Sequence, residues 1–183
     1  MSTLNVTNIK AADGTSGLTI ANSTGIVTPT KIAQSIVFQV KGNNSDMAYT
    51  ASNGITKITG WNVTDLNVGS CWSQANSRFT PTVAGWYMFG GTIRGKFTDN
   101  DMNTVSIEIT KNAQTNNGTG IKTQFQFNSK IITNSEIPAP SGLLHCNGSS
   151  DYVEMFFDGD ENCTIHDGAS RSSHFFGYLV HAT

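Results

Sequence analysis

Charge is scarce in this 183-residue sequence. Only 13% of the residues are Asp, Glu, Lys or Arg, about half of the usual share. The net charge of −2 provides no general attraction toward nucleic acid or anionic lipid. No apolar run approaches the roughly 20 residues that a membrane-spanning helix needs. We therefore expect neither a nucleic-acid partner nor insertion into a membrane.

Cysteine and proline are also few, with 3 and 4 residues. Cys71, Cys146 and Cys163 show no Cys-x-x-Cys spacing, and residues 1–10 lack the basic start and apolar core of a signal peptide. We expect free, partly buried thiols in a protein made in a reducing cell, and no disulfide framework.

Small polar residues are abundant instead. Ser, Thr and Asn occur 18, 23 and 18 times, and Gly adds 18 more. This composition favours many short strands with polar exposed faces and Gly or Asn turns, and it argues against a helical bundle. The sequence thus predicts an all-β protein.

Residues 1–34 differ in pattern from the rest. Short stretches with an apolar residue at every second position alternate there with turns that contain Gly. Such short strands bury no core of their own, so we expect them to pair with other chains or to lie on a partner's surface; a disordered tail is the alternative. We predict an extended N-terminal β arm whose anchoring residues are Leu4, Val6, Ile9, Leu18 and Ile20.

Residues 35–183 form longer alternating segments without helical spacing. About ten such strands in sequence predict an antiparallel sandwich or barrel. The last strand, residues 174–180, is an almost unbroken apolar run. We therefore expect it to be buried on both faces, in the middle of a sheet beside the first strand.

Residues 86–89 indicate which side chains face the core. In a strand Tyr87 and Phe89 share one face, and Trp86 and Met88 share the other. If the first pair fills the sandwich, the second pair projects outward, where its apolar surface needs a cover. A second copy of the chain is one such cover, and a loop of the same subunit is the other.

Five motifs follow one another along residues 35–183, which we call the head. They are Ile36-Val37-Phe38, the segment from Phe79 through Pro81 to Gly85-Trp86-Tyr87-Met88-Phe89, Ile107-Glu108-Ile109 with Lys111-Asn112, Asp151-Tyr152-Val153, and Phe176-Gly177-Tyr178-Leu179. In this order they resemble the globular head shared by complement C1q and the tumour-necrosis-factor ligands. The resemblance implies a ten-stranded antiparallel jelly-roll sandwich that assembles as a homotrimer through apolar strand faces.

These expectations assign roles to individual side chains. We predict that Trp86, Met88 and Phe175 form the trimer interface. The predicted core residues are Phe38, Phe79, Tyr87, Phe89, Phe176 and Tyr178.

The arm resembles the leading segment of bacteriophage fibre and appendage proteins in residues 2–9 and 13–20. Arm and head together imply a structural virion protein of a tailed bacteriophage, a trimeric fibre or appendage. Its partners would be other virion proteins and a glycan or protein of the host cell surface. The alternative is a trimeric capsid decoration protein that the arm anchors to the shell.

No catalytic arrangement is evident. His145 and Cys146 are adjacent in a strand and so face opposite sides, and the four histidines lack metal-ligand spacing. We expect no enzyme activity, cofactor or metal. One alternative stays open at residues 158–162, where three acids and an amide occupy one turn: either a calcium site or a solvated acidic turn.

Overall fold

The structure is a computed structural model that describes the following parts of the chain: residues 8–10, 16–20, 27–29, 36–43, 45–97, 102–113, 115, 120–126, 135–166 and 173–183. The chain divides into two compact units, residues 1–35 and 36–183. The roles predicted for the arm and the head stay predictions.

Nearly all of the regular structure is strand. The strands are β1 (Asn8–Lys10), β2 (Ser16–Ile20), β3 (Val27–Pro29), β4 (Val37–Gly42), β5 (Met47–Tyr49), β6 (Thr56–Lys57), β7 (Val63–Val68), β8 (Trp72–Ser73), β9 (Arg78–Phe79), β10 (Ala84–Phe97), β11 (Thr104–Lys111), β12 (Ile121–Gln126), β13 (Ser135–Pro138), β14 (Gly142–Asn147), β15 (Val153–Gly159), β16 (Cys163–Ile165) and β17 (Ser173–Ala182). One short 3-10 helix, Ala51–Asn53, follows β5. Among the described residues there is no helix with the length and hydropathy that crossing a bilayer requires.

The described part of the N-terminal unit is a three-stranded antiparallel sheet in the order β1-β2-β3. Ile9 pairs with Leu18, and Ile20 pairs with Val27. The sequence led us to expect pairing with other chains, whereas here the strands pair with one another. Antiparallel strands need only short connections, and the intervening segments of five or six residues are long enough for them.

In its described residues the head is a sandwich of two antiparallel sheets, one of eight strands and one of six. The larger sheet has the order β5-β16-β10-β17-β4-β7, and β13 and β14 also pair with β10. The smaller has the order β12-β11-β15-β9-β8, with β6 pairing with β15. The last strand therefore lies in the middle of its sheet beside the first strand of the head, as predicted. The two-residue segments β6, β8 and β9 account for three of the four described strands beyond the ten expected.

The core between the sheets is aromatic. Phe38 lies at its centre, with its ring stacked on Trp72 (centroids 5.1 Å apart) and on Phe79 (4.7 Å) and edge-on to Phe175 (4.9 Å). Since Phe38 belongs to the larger sheet and Trp72 and Phe79 to the smaller one, these contacts join the two layers. Tyr87, like Phe38 and Phe79, is fully buried.

Two glycines allow the backbone and rings to approach closely. A Cβ at Gly177 would lie 2.6 Å from the ring of Phe89 and 2.7 Å from that of Phe38. A Cβ at Gly85 would lie 2.3 Å from the carbonyl oxygen of His181 on the neighbouring strand. Both positions therefore need glycine for space.

Three roles predicted for residues of the last strand, β17, are wrong. Phe175, predicted at the trimer interface, is fully buried in the core, where it contacts Phe38 and Phe89. Phe176 and Tyr178, predicted in the core, point to the other side, and Tyr178 is 44% exposed. The strand is therefore not buried on both faces. Alternation fixes this result, because once Phe175 packs on Phe38 its neighbours must face outward.

Candidate functional site

The large apolar side chains that stay exposed lie on one sheet. Among the head residues whose exposure the structure describes they are Leu66 (40%), Val68 (44%), Trp86 (44%), Leu143 (50%), Tyr178 (44%) and Val180 (53%). All six belong to β7, β10, β14 or β17 of the eight-stranded sheet. Together with Met88 and Val37 they define what we call the apolar face. Exposed apolar residues scattered singly are ordinary, but a contiguous patch marks an interaction surface.

Strand register makes the apolar face continuous. Leu143 on β14 pairs with Met88 on β10, and Met88 pairs with Tyr178 on β17. Tyr178 in turn pairs with Val37 on β4, which pairs with Val68 on β7. Directly opposed residues have Cβ atoms about 5 Å apart, so these five side chains form one apolar row across five strands.

Trp86 lies beside this row between two histidines. It pairs with His145 on one side and with His181 on the other. The Trp86 ring meets the His145 ring edge-on, with centroids 5.4 Å apart. The ladder between β10 and β17 is irregular after Trp86, where Tyr87 pairs with Leu179 and Val180 is passed over. This bulge leaves Val180 exposed at the edge of the apolar face.

A polar cluster borders the apolar face at β4 and β7. Asp65 forms an ion pair with Lys41 at 2.6 Å and accepts a hydrogen bond from the Gln39 side chain at 3.1 Å. Exposed pairs of this kind add little stability, but they keep the end of the sheet hydrated. The apolar face thus has a polar border, as interaction patches commonly do.

Two predicted interface residues lie on the apolar face, and one does not. Trp86 projects outward and Met88 is half-buried beside it, while Tyr87 and Phe89 point into the core. No described loop covers Trp86 completely. Phe175 lies on the opposite side of its strand, as described above.

The predicted anchoring residues are only partly described. Leu4 and Val6 lie outside the described residues. Ile9 lies in β1, and Leu18 and Ile20 lie in β2. Their role in attachment stays a prediction.

The three cysteines are free and buried, as the sequence predicts. Desolvation raises the pKa of the Cys146 thiol to about 12, with a smaller contribution from the charge of Asp151, and burial raises that of Cys163 to about 12. Both thiols are therefore protonated near neutral pH and unsuited to nucleophilic attack. Cys146 is buried whereas His145 lies on the outer side of the strand, so the two do not form a dyad.

The oxygens of the acidic turn accept hydrogen bonds from neighbouring segments. Asp158 accepts one from the Tyr49 hydroxyl at 3.1 Å. Asp160 accepts from the backbone N–H groups of Asn103 and Thr104, both at 3.0 Å. No group of three or more His, Cys, Asp or Glu side chains able to hold a metal occurs in the described part of the chain. The calcium alternative finds no further support in this geometry.

A network around Asp151 was not predicted from the sequence. Its carboxylate accepts hydrogen bonds from the Asn112 side chain and the Asn147 backbone N–H, both at 2.9 Å, and pairs with Lys111 at 3.3 Å. Desolvation acts to raise the pKa of Asp151, but these hydrogen bonds and the Lys111 charge outweigh it and lower the pKa. Two of the five sequence motifs, the Lys-Asn turn and the Asp-x-Val segment, therefore meet in space.

Glu154 is a second buried acid that sequence reasoning missed. Its carboxylate pairs with Arg78 at 2.9 Å and with Lys57 at 3.1 Å, and the side chain is 2% exposed. The Arg78 guanidinium also lies 3.9 Å from the centre of the Tyr152 ring. An acid inside the apolar segment Val153 to Phe157 was the available signal, since such a residue needs a cation.

Comparison with solved structures identifies the fold. The Eiger TNF structure from S. frugiperda aligns with a TM-score of 0.57 at 9% identity, covering 82% of this chain and 95% of that one. Murine APRIL aligns with a TM-score of 0.52 at 9% identity, covering 80% and 99%. The VP2 subviral particle of infectious bursal disease virus reaches only 0.34 at 9% identity, covering 87% of this chain and 41% of that one, which is too low to bear on the fold.

Sequence comparison adds no family assignment. No family model matches the chain, and no curated protein matches it. Structural alignments at 9% identity show a shared fold and show nothing about activity. The head therefore has a TNF/C1q-like jelly-roll fold, with an apolar face on its larger sheet.

Proposed function

We propose that this protein is a homotrimeric structural component of a bacteriophage virion. In this proposal the heads assemble through the apolar face, and the N-terminal arm attaches the trimer to other virion proteins. The role is structural and adhesive, without catalysis. The observation that carries the proposal is that, among the head residues whose exposure the structure describes, every large hydrophobic side chain exposed by 40% or more lies on one sheet.

The energetics favour a covered apolar face. Complete burial of a Leu or Val side chain contributes about 1.5–3 kcal/mol, and these side chains are about half exposed. Covering six of them, one a tryptophan, therefore contributes several kcal/mol toward association. A patch that meets a different surface of the next copy forms a closed ring when the rotation between copies closes, and the resemblance to the C1q and tumour-necrosis-factor heads points to a closed ring of three.

The virion role rests on different support. The arm segments 2–9 and 13–20 resemble the leading segment of phage fibre and appendage proteins, and the head fold presents a rigid sandwich with polar loops. A trimeric head gains avidity for a host-surface ligand because three weak contacts act together. Location on purified particles separates the two versions of this role. Labelling over the whole shell would favour capsid decoration, and labelling at the tail would favour a fibre or appendage.

A charge on the apolar face tests the assembly directly. Trp86→Asp should convert the trimer into a folded monomer, because the partner would have to bury an unpaired carboxylate. Ser52→Asp, at an exposed position on the 3-10 helix, is the matched control and should stay trimeric. Sedimentation velocity with circular dichroism measures both properties. An unchanged sedimentation coefficient for Trp86→Asp would contradict assembly through this face.

Deletion of residues 2–30 tests the arm separately. The truncated head should remain a trimer and should no longer join particles. Incorporation of the truncated protein at the normal level would show that the arm is not the anchor.

A further inference from the structure

A small polar depression lies on the six-stranded sheet, which is the other sheet from the apolar face. It has a volume of about 200 Å³ and lies over β11, β12 and the end of β15. The side chains that line it are Thr104, Ser106, Lys122, Gln124, Asp158 and Asp160. None of these six is apolar, so the depression is suited to a hydrophilic ligand.

A buried hydroxyl in this lining lacks a partner. Ser106 is 5% exposed, and no group of the described residues forms a hydrogen bond with its Oγ. Strand register places it between Gln124 on β12 and Asp158 on β15. A buried hydroxyl without a partner is unfavourable, so a donor and acceptor from outside the chain would stabilise it.

Hydrogen bonds and an ion pair hold the charged groups of the depression in place. Asp160 accepts the backbone N–H groups of Asn103 and Thr104, and Asp158 accepts the Tyr49 hydroxyl. Each carboxylate has about four acceptor positions, so these contacts fix its orientation without using all of its capacity. Lys122, which lines the depression, pairs with Glu108 at 2.8 Å, and this pair restrains its side chain.

Acceptors and donors thus lie side by side in a space of limited size. Neighbouring hydroxyl groups of a sugar ring match this arrangement, because each can donate to a carboxylate and accept from an ammonium or serine hydroxyl. Two carboxylates against one ammonium leave the lining with an excess of negative charge, which disfavours an acidic sugar. The volume accommodates one ring rather than an extended chain.

We propose that this depression binds a single neutral sugar ring, with Asp158 and Asp160 accepting from its hydroxyls and Ser106 and Lys122 donating to them. The site goes beyond the proposed structural role. Because it lies within one subunit, on the sheet away from the apolar face, it does not depend on trimer formation.

Titration of the full chain with defined sugars tests the site. The probes are the methyl glycosides of glucose, galactose and mannose, N-acetylglucosamine, N-acetylneuraminic acid as the acidic comparison, and calcium chloride alone. Saturation-transfer NMR with the wild-type protein should show saturable binding of at least one neutral sugar and none of N-acetylneuraminic acid.

Two variants locate the binding. Ser106→Ala removes the unpartnered hydroxyl and should leave the fold intact while weakening the sugar about tenfold, the effect of losing one hydrogen bond to the ligand. Asp158→Asn should weaken it by a similar or larger factor. Thr64→Ala, at an exposed position of β7 on the other sheet, is the control and should bind like the wild type.

Four results would contradict the proposed sugar site. Absence of saturable binding by every neutral sugar, equal affinity in Ser106→Ala, preference for the acidic sugar, or a response to calcium alone would each overturn the site. Sedimentation of the same samples separates this result from the assembly proposal. A monomer that binds sugar would refute the trimer and leave the site standing, and a trimer without sugar binding would do the reverse.

Discussion

Mild acid should destabilise the head through His166. The imidazole is fully buried, its Nε2 lies 2.6 Å from the carbonyl oxygen of Thr59, and its ring meets Trp61 edge-on. A carbonyl only accepts, so Nε2 donates and Nδ1 is the unprotonated nitrogen. Nδ1 is buried without a hydrogen-bond partner among the described residues, so a second proton there would create an unpaired buried charge.

The size of this loss of stability follows from the pKa of His166. Desolvation lowers the pKa of His166 from 6.5 to about 4, and the hydrogen bond to Thr59 and the charge of Asp46 oppose it only in part. Between these values the unfolded chain binds a proton that the folded chain does not. The free energy of unfolding should therefore fall as the pH decreases from 6.5 to about 4, by about 3 kcal/mol in total. Above 6.5 and below 4 this group should have no further effect.

The assay is urea unfolding at fixed protein concentration across pH 7.5 to 4. Fixed concentration is needed because association contributes to apparent stability. His166→Gln keeps an amide donor for the Thr59 carbonyl and does not titrate. At pH 7.5 the free energy of unfolding of this variant should be about 1 kcal/mol lower than that of the wild type. As the pH decreases, it should fall less steeply than that of the wild type. Parallel pH profiles for the two proteins would refute the assignment.

Two further variants test the unpredicted network and the core. Asp151→Ala should lower the free energy of unfolding by about 3 kcal/mol, because the Asn112 side chain, the Asn147 backbone N–H and Lys111 all lose their shared acceptor. Since the folded pKa of Asp151 is lowered, the wild-type advantage measured by urea unfolding should persist above about pH 4 and decrease as the pH falls below it, outside the window of His166. Gly177→Ala should destabilise by about 2 kcal/mol or more in thermal unfolding, because its Cβ would overlap two core rings; an unchanged melting temperature would contradict that packing.

The sequence predicted the layers of the fold better than the facing of its last strand. In β10, Tyr87 and Phe89 alternate with Trp86 and Met88. Because Tyr87 and Phe89 face the core, Trp86 and Met88 face outward. In β17 the run from His174 to Val180 is apolar at nearly every position, so alternation offers no direction. Its facing is decided by the contact of Phe175 with Phe38, which is distant in sequence.

The candidate site was predictable only in part for the same reason. Trp86 and Met88 could be placed outward from a single strand. The row that joins Met88 to Leu143 and Tyr178 depends on the register between three strands, which no local pattern specifies. The depression beside Ser106 likewise forms only where β11, β12 and β15 are aligned.

The most direct test of the account is the molar mass of the intact protein in solution. Sedimentation equilibrium over a range of concentrations should give three times the chain mass of 19.6 kDa, with no stable monomer at the higher concentrations. A single species of 19.6 kDa throughout, with Trp86 accessible to solvent quenchers of its fluorescence, would contradict assembly through the apolar face.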